Sequence, residues 1–314
     1  MRPIVSLLAA SVLTLALTAC ETVPALPEFR DRTPADIAGF FDCLREKSLT
    51  VIAAHRGGDA PAENAIETFE RTVRGAPGPV LLEIDVRRTS DGQLVLMHDE
   101  TLDRTTTGKG PVSGVTLDAF RALQLKDGAG RVLGAHPPTL KHALEWSKGK
   151  AILELDVKQG APLAEVIVAV RAAKAENRVV VIVYNTEDAL TMQRLAPDLM
   201  LSVPAESVPV LQMVSSVRVD LSRLLGWTGT TDPNSALNLQ LADKGVEVIF
   251  GTLGDTPTSW DVRLARDGDA GYAAFADTGI HVIATDRPLE AMRAIDDADS
   301  PGVPTTQCLA ARKK

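Results

Sequence analysis

From about residue 50 the chain repeats one pattern, a short β-branched apolar run followed by a longer stretch of helical periodicity. This alternation constrains the fold more than any other feature. A strand that is apolar on both faces must be covered on both, and helices that cross over to a parallel neighbour supply the cover. Strand cores are read at 51–54, 80–86, 151–157, 179–184, 199–203, 217–221, 246–250 and 280–284, with helices at 62–74, 163–176, 187–195, 235–244 and 289–295 among the connections. The count predicts an α/β fold, a (β/α)8 TIM barrel of one domain over 49–298, although 314 residues would also suit two average domains. One connection breaks the rhythm. The segment from Arg87 to Thr139 is rich in Gly and Thr and too long for a simple βα loop, so it is read as an insertion after the second strand, at the catalytic end of the barrel.

Residues 1–19 are read as a leader outside the fold: Arg2 is a short positive start and Ile4 to Ala19 is apolar apart from Ser and Thr. That run is short for a membrane span of about 20 residues. Its ending, Leu17-Thr18-Ala19-Cys20, resembles the lipobox of bacterial lipoproteins, which implies that Cys20 becomes the lipidated first residue of the mature protein; a cleaved leader that merely contains a cysteine is the alternative. Residues 20–48 are then a lipidated tether, proline-bearing at Pro24, Pro27 and Pro34, and an N-terminal helix, while 299–314 form a C-terminal tail. The expected location is the periplasmic side of a bacterial membrane. In that oxidising compartment Cys43 and Cys308 either pair as a disulfide or stay as two buried thiols. The net charge of −8 speaks against nucleic acid and anionic lipid surfaces, so contact with a membrane is expected through the anchor only, and no protein partner is implied.

In such a barrel the chemistry stands at the C-terminal ends of the strands. The first strand ends Ala54-His55-Arg56-Gly57-Gly58, offering an acid or base, a fixed cation and a backbone that can approach an oxyanion closely. A strand-end histidine is often only a hydrogen-bonded structural group, so its neighbours decide. The second strand reads Leu82-Glu83-Ile84-Asp85-Val86, with carboxylates at alternate positions and hence on one face. Leu81, Leu82, Ile84 and Val86 leave no half-exposed polar face, and two buried like charges call for a cation between them. The third strand reads Leu153-Glu154-Leu155-Asp156-Val157-Lys158. Glu83 and Asp85 with Asp156 or Glu154 make an all-oxygen set suited to one divalent cation, Ca2+ or Mg2+, and no Cys/His pairing suggests structural zinc. Asp156 is the preferred third ligand; Glu154 reads equally as a deeper partner of Lys158 inside the barrel. The insertion delivers a second histidine in Met97-His98-Asp99, while Arg104 to Gly108 reads as a turn and His136, His142 and His281 as structural.

Taken in order, His55-Arg56-Gly57, Pro61-Ala62-Glu63-Asn64, Glu83-Ile84-Asp85-Val86, the run from His98 to Gly108, Asp156-Val157-Lys158 and the run from Gly279 to Pro288 resemble the motifs of glycerophosphodiester phosphodiesterases, over about Val51 to Ala294. The resemblance implies a (β/α)8 barrel and a divalent metal, with His55 and His98 as the acid/base pair, Glu83 and Asp85 as metal ligands, and Arg56 and Lys158 as cations for the substrate phosphate. It implies hydrolysis of a small glycerophosphodiester to an alcohol and sn-glycerol 3-phosphate. Two other functions fit the same residues, a lysophospholipase D-type enzyme acting on lysophospholipids and a catalytically silent surface binding protein. The chain departs from the family in three places. Ala62 interrupts the usual Pro-Glu-Asn-Thr and Ala65 ends it, Asp156 stands where Glu is common, and Phe250-Gly251-Thr252 stands where a Trp is usual near the seventh strand.

The anchor reading has a direct test. A Cys20→Ser variant is expected to leave the membrane fraction and to lose incorporated labelled lipid; equal labelling and unchanged fractionation would refute it.

Overall fold

The computed structural model describes residues 31–58, 60–207, 220–298 and 305–313. The leader and Cys20 lie outside these residues. The strands are β1 (Val51–Ala54), β2 (Leu81–Arg88), β3 (Leu94–Leu96), β4 (Ile152–Val157), β5 (Val179–Ile182), β6 (Met200–Pro204), β7 (Leu224–Trp227), β8 (Glu247–Gly251) and β9 (Val282–Thr285). The helices are α1 (Ile37–Glu46), α2 (Ile66–Gly75), α3 (Leu117–Arg121), α4 (Leu140–Trp146), α5 (Leu163–Ala172), α6 (Thr186–Leu195), α7 (Ser235–Asp243), α8 (Trp260–Asp267), α9 (Gly271–Ala276) and α10 (Pro288–Ala298). All strands except β3 pair in parallel, and β1 pairs with both β2 and β9, so the sheet closes on itself as an eight-stranded barrel. The expected (β/α)8 barrel is the fold observed.

The strand period of two sorts the side chains. Leu82, Ile84 and Val86 of β2 and Leu153 and Leu155 of β4 face the helical layer. Leu81, Ile152, Val180, Met200, Leu225, Ile249 and Val282 point inward and fill the lower barrel. The same parity carries Glu83, Asp85, Glu154 and Asp156 into the upper interior, and the register aligns Glu83 with Glu154 and Asp85 with Asp156.

The strand expected at 217–221 is not found there. Residues 217–219 lie outside the described residues, Leu221–Arg223 is a 3-10 turn, and the strand is Leu224–Trp227. Asp220 accepts a hydrogen bond from Ser222 N at 3.1 Å and caps the turn. The alternating Val-Arg-Val-Asp-Leu matched a half-exposed strand, whereas a barrel strand is buried on both sides. Leu224 and Leu225, both fully buried, meet that demand. The helix expected from 62 begins at Ile66, because Ala62 to Ala65 belong to the site loop; Ala65 at its N-cap makes no side-chain capping bond. The Arg87 to Thr139 insertion pairs β3 antiparallel with β2 and has its own apolar cluster of Val95, Met97, Leu102, Val112 and Phe120.

Helix α1 closes the opposite end of the barrel. Ile37, Phe40, Phe41 and Leu44 pack against the inward residues of the strands, and Arg45 Nε donates to Glu247 Oε1 of β8 at 2.8 Å. Cys43 of α1 is bonded to Cys308 of the C-terminal 3-10 turn Thr305–Ala310, across a sequence separation of 265. Segments that the sequence assigns to a tether and a tail thus share one apolar cluster with the barrel. Replacing both cysteines by serine should lower unfolding stability by about 2–4 kcal/mol, read from denaturant midpoints without reductant; an unchanged midpoint would show that packing alone holds α1.

Candidate active site

The upper mouth of the barrel gathers residues from β1, β2, β4, β9 and the insertion. The chain leaves β1 through the 3-10 turn His55–Gly57, in which Arg56 adopts the left-handed conformation with φ 52. That bend turns Arg56 N toward Glu83 Oε2, to which it donates at 2.7 Å. Gly57 is required: at φ +83 an added Cβ would lie 2.2 Å from the Phe69 ring of α2. His55 Nδ1 is 2.6 Å from Asp286 Oδ1, just beyond β9. Asp286 is itself held, accepting from Gly254 N at 2.8 Å while its own N donates to Asp261 Oδ2 at 2.7 Å. Burial pushes the Asp286 carboxyl upward, but the bond to His55 and its charge outweigh this and keep it below the ordinary value. With Nδ1 engaged, Nε2 is the nitrogen of His55 left for proton transfer.

Glu83, Asp85 and Asp156 offer oxygens that all lie within 4.8 Å of one another, and the three residues are buried. Burial pushes the Glu83 carboxyl well above its ordinary value, and Asp85 and Asp156 add to the effect. Asp85 is held below its ordinary value because Lys158 and Asn64 outweigh the cost of burial. Asn64 grips Asp85 twice, donating to Oδ2 at 2.6 Å and accepting from its backbone N at 3.0 Å. Asp85 Oδ1 lies 2.8 Å from the Lys158 ammonium but receives no well-directed hydrogen bond. A buried triad of oxygens with one lone-pair site unfilled fits a hard divalent cation. Glu154 is not in the cluster. It sits in the barrel interior, where burial raises its carboxyl to about 7 and Ser202 is its hydrogen-bond partner, so of the two candidates it is Asp156 whose oxygen gathers with those of Glu83 and Asp85.

His98 stands at the start of the insertion beyond β3, with its side chain 34% exposed. Its Nδ1 lies 2.8 Å from Asp99 Oδ1, and Arg87 of β2 donates to its carbonyl at 2.9 and 2.7 Å. Asp99 is clamped by Arg104, whose guanidinium reaches both Asp99 oxygens at 2.7 and 2.9 Å and both Glu63 oxygens at 2.7 Å. Arg104 holds the Asp99 carboxyl far below the carboxylate range. Glu63 also accepts from Arg56 Nη1 at 2.9 Å, so an unbroken chain of charge pairs runs from Arg56 to His98.

Both expected phosphate cations are present. Lys158 bridges Asp85 and Asp156. Arg56 is bound at Nη1, while its Nε is buried without a hydrogen-bond partner and therefore offers an unused donor. Sequence reasoning left Glu63, Asn64, Asp99, Arg104, Tyr184, Asp261 and Asp286 without roles. Tyr184 OH donates to Asp156 Oδ1 at 2.7 Å, and Asp261 accepts from Asp286 N and from Thr285 Oγ1 at 2.8 Å. Most of these lie inside the quoted motifs, but Asn64, Tyr184, Asp261 and Asp286 act through contacts across 20 residues or more of sequence, and Glu63 and Arg104 meet across 41. The sequence alone marks them only as polar residues beside better candidates. His281 is structural, as expected: its Nδ1 accepts from Val248 N at 3.0 Å, and burial lowers its pKa to about 4.

Residues 55–237 match the family model described as the Glycerophosphoryl diester phosphodiesterase family. A glycerophosphodiester phosphodiesterase of Caldanaerobacter subterraneus is 35% identical over 160 residues, which are 48% of this chain and 64% of that protein. The chain thus spans just under two thirds of that relative's length. A crystal structure of a glycerophosphoryl diester phosphodiesterase from Parabacteroides distasonis superposes with a TM-score of 0.77 at 26% identity, covering 89% of this chain and 98% of the other. A phosphodiesterase from Oleispira antarctica, solved in complex with the product sn-glycerol-3-phosphate, shares the fold with a TM-score of 0.61 at 19% identity, covering 80% of this chain and 99% of that one.

The carboxylate triad makes a prediction independent of any reaction. Calorimetric titration with Ca2+ or Mg2+ is expected to show one site in the wild type and none in the Glu83→Gln, Asp85→Asn double variant; undiminished binding by the variant would move the site elsewhere.

Proposed function

The chain belongs to the glycerophosphoryl diester phosphodiesterase family, and on that premise we propose that it hydrolyses small glycerophosphodiesters to an alcohol and sn-glycerol 3-phosphate by metal-assisted catalysis with two histidines. One observation carries the reading. His55 and His98, each backed at Nδ1 by a carboxylate, stand at the same end of the barrel as a buried triad of carboxylates beside Lys158 and Arg56: His55 shares a cavity with Glu83 and Asp156, and the charge of His98 is felt by Asp85. A silent binding protein would have no use for two oriented histidines at a cation site.

The division of labour follows from charge. A phosphodiester gains negative charge as the fifth oxygen approaches phosphorus. A divalent ion held by Glu83, Asp85 and Asp156, Ca2+ or Mg2+ by the hardness of its ligands, supplies neutralisation of that charge when bound. Arg56, with its unused Nε donor, and Lys158 hold the non-bridging oxygens. His55 removes a proton through Nε2 from the attacking oxygen, either of water or of the neighbouring glycerol hydroxyl, whose cyclic phosphate water then opens, and Asp286 stabilises the imidazolium so formed. His98, steadied by Asp99 and Arg104, donates a proton to the departing alkoxide. The two histidines come from different elements, His55 from the end of β1 and His98 from the insertion, which suits attack and departure on opposite faces of the phosphorus.

Export and a lipid anchor at Cys20, on the periplasmic side of the membrane, remain part of this proposal. Support comes from Leu17-Thr18-Ala19-Cys20 and from the Cys43–Cys308 pair, which suits an oxidising compartment.

The histidine assignment predicts a bell-shaped pH profile and unequal variants. His98→Ala should cost about 10²–10⁴-fold in kcat on an alkyl diester and far less on a nitrophenyl diester, whose leaving group needs no proton. His55→Ala and Asp286→Asn should lose turnover on both. Equal losses on both substrates for both histidine variants would contradict the division.

A further inference from the structure

Two cavities meet at His55, and their linings differ in kind. One, of about 760 Å³, runs past Arg56, Glu63, Arg104, Lys126, Asp127 and Arg287, a surface of charges suited to hydroxyls and to a phosphate. The other, of about 400 Å³, passes the triad residues Glu83 and Asp156 and is walled by Ile182, Tyr184, Pro204, Trp227 and Leu253, with Glu206 at its side. Among the described residues this second cavity has neither Lys nor Arg in its lining.

Its aromatic wall is built, not incidental. The Trp227 indole lies across β8 at Gly251, where an added Cβ would stand 2.6 Å from Trp227 Cη2, so only glycine there leaves room for the ring. The Phe250-Gly251-Thr252 departure from the family pattern is thereby filled from the neighbouring strand. Tyr184 is fixed at its hydroxyl by Asp156, 2.7 Å away, while the residue stays 58% exposed. On the hydrolase reading the triad carboxylates would hold a divalent ion, and Glu154, also in the lining, is buried against Ser202, so the carboxylate that the cavity exposes is Glu206. Apolar walls, two aromatic rings and one exposed carboxylate without a competing cation are complementary to a bulky, weakly hydrated organic cation.

We propose that this cavity is the alcohol subsite and that it selects a quaternary ammonium headgroup of the choline type, with Trp227, Tyr184 and Glu206 as the specificity-determining residues. The inference rests on the hydrolase reading above. The glycerol moiety then lies in the charged cavity, where Arg56, Arg104, Lys126 and Arg287 favour the free hydroxyls and phosphate of a soluble diester over an acylated glycerol.

The test compares glycerophosphocholine with its neutral isostere, the 3,3-dimethylbutyl ester, in which carbon replaces the ammonium nitrogen. Wild-type protein with divalent ion is expected to favour the cationic ester by about tenfold in kcat/KM. Glu206→Gln and Trp227→Leu should each bring that ratio toward one, and because it is a ratio, partial damage to folding or turnover cancels. Equal use of both esters by the wild type, or a ratio that Glu206→Gln leaves unchanged, would overturn the subsite. A preference for lysophosphatidylcholine over glycerophosphocholine would overturn the placement of glycerol in the charged cavity. If no glycerophosphodiester is hydrolysed at all, the hydrolase reading fails by itself, and calorimetry with choline chloride still decides the subsite. Binding that Glu206→Gln weakens supports it, and no binding to the wild type refutes it.

Discussion

Holding Glu83, Asp85 and Asp156 within 4.8 Å of one another in a buried place is the electrostatic demand around which this molecule is arranged. Like charges removed from water repel strongly, and each also loses its hydration. The chain answers with donors from several elements. Arg56 N meets Glu83, the Asn64 amide meets Asp85, Tyr184 OH meets Asp156, and the Lys158 ammonium lies between two of the three. Each donor requires a particular local conformation, such as the left-handed Arg56 and Asn64. The strained turns after β1 are therefore a consequence of the charge cluster.

That polar interior is tolerable because the rest of the barrel is not polar. Below the triad the inward residues are aliphatic, and α1 presses Phe40, Phe41 and Leu44 into the open end. The two ends thus do different work: one is sealed by apolar packing and a covalent link from Cys43 to Cys308, the other keeps loops that can carry charge. In a closed parallel barrel every strand is paired on both sides, so the sheet holds the side chains at the strand ends in fixed relative positions while the loops vary.

The two histidines show how this scaffold distributes control. His55 is oriented by Asp286 from the far side of the barrel closure, and His98 by its own neighbour Asp99, which Arg104 and Glu63 connect back to Arg56. His98 is thereby joined to Arg56 through an unbroken series of charge pairs, while His55 is held separately by Asp286. The insertion after β2 is what makes this possible, since it brings His98 and Arg104 over the mouth on a segment with its own small core.

Periodicity made the barrel legible from the sequence, because buried parallel strands must be apolar on both faces and the helices between them amphipathic. The alternate carboxylates of β2 and β4 were legible for the same reason, since a two-residue period places Glu83 with Asp85 and Glu154 with Asp156 on one face. What the period cannot say is which of two inward carboxylates joins Glu83 and Asp85. The oxygens of Asp156 gather with theirs, whereas Glu154 is bonded to Ser202, and the sixth strand moved to Leu224–Trp227 because burial on both sides outranked local alternation. The Asp286 partner of His55, the clamp from Glu63 to Arg104 and the seat of Trp227 over Gly251 were likewise settled only by the tertiary structure, since each joins residues apart along the chain and adjacent only after the barrel closes.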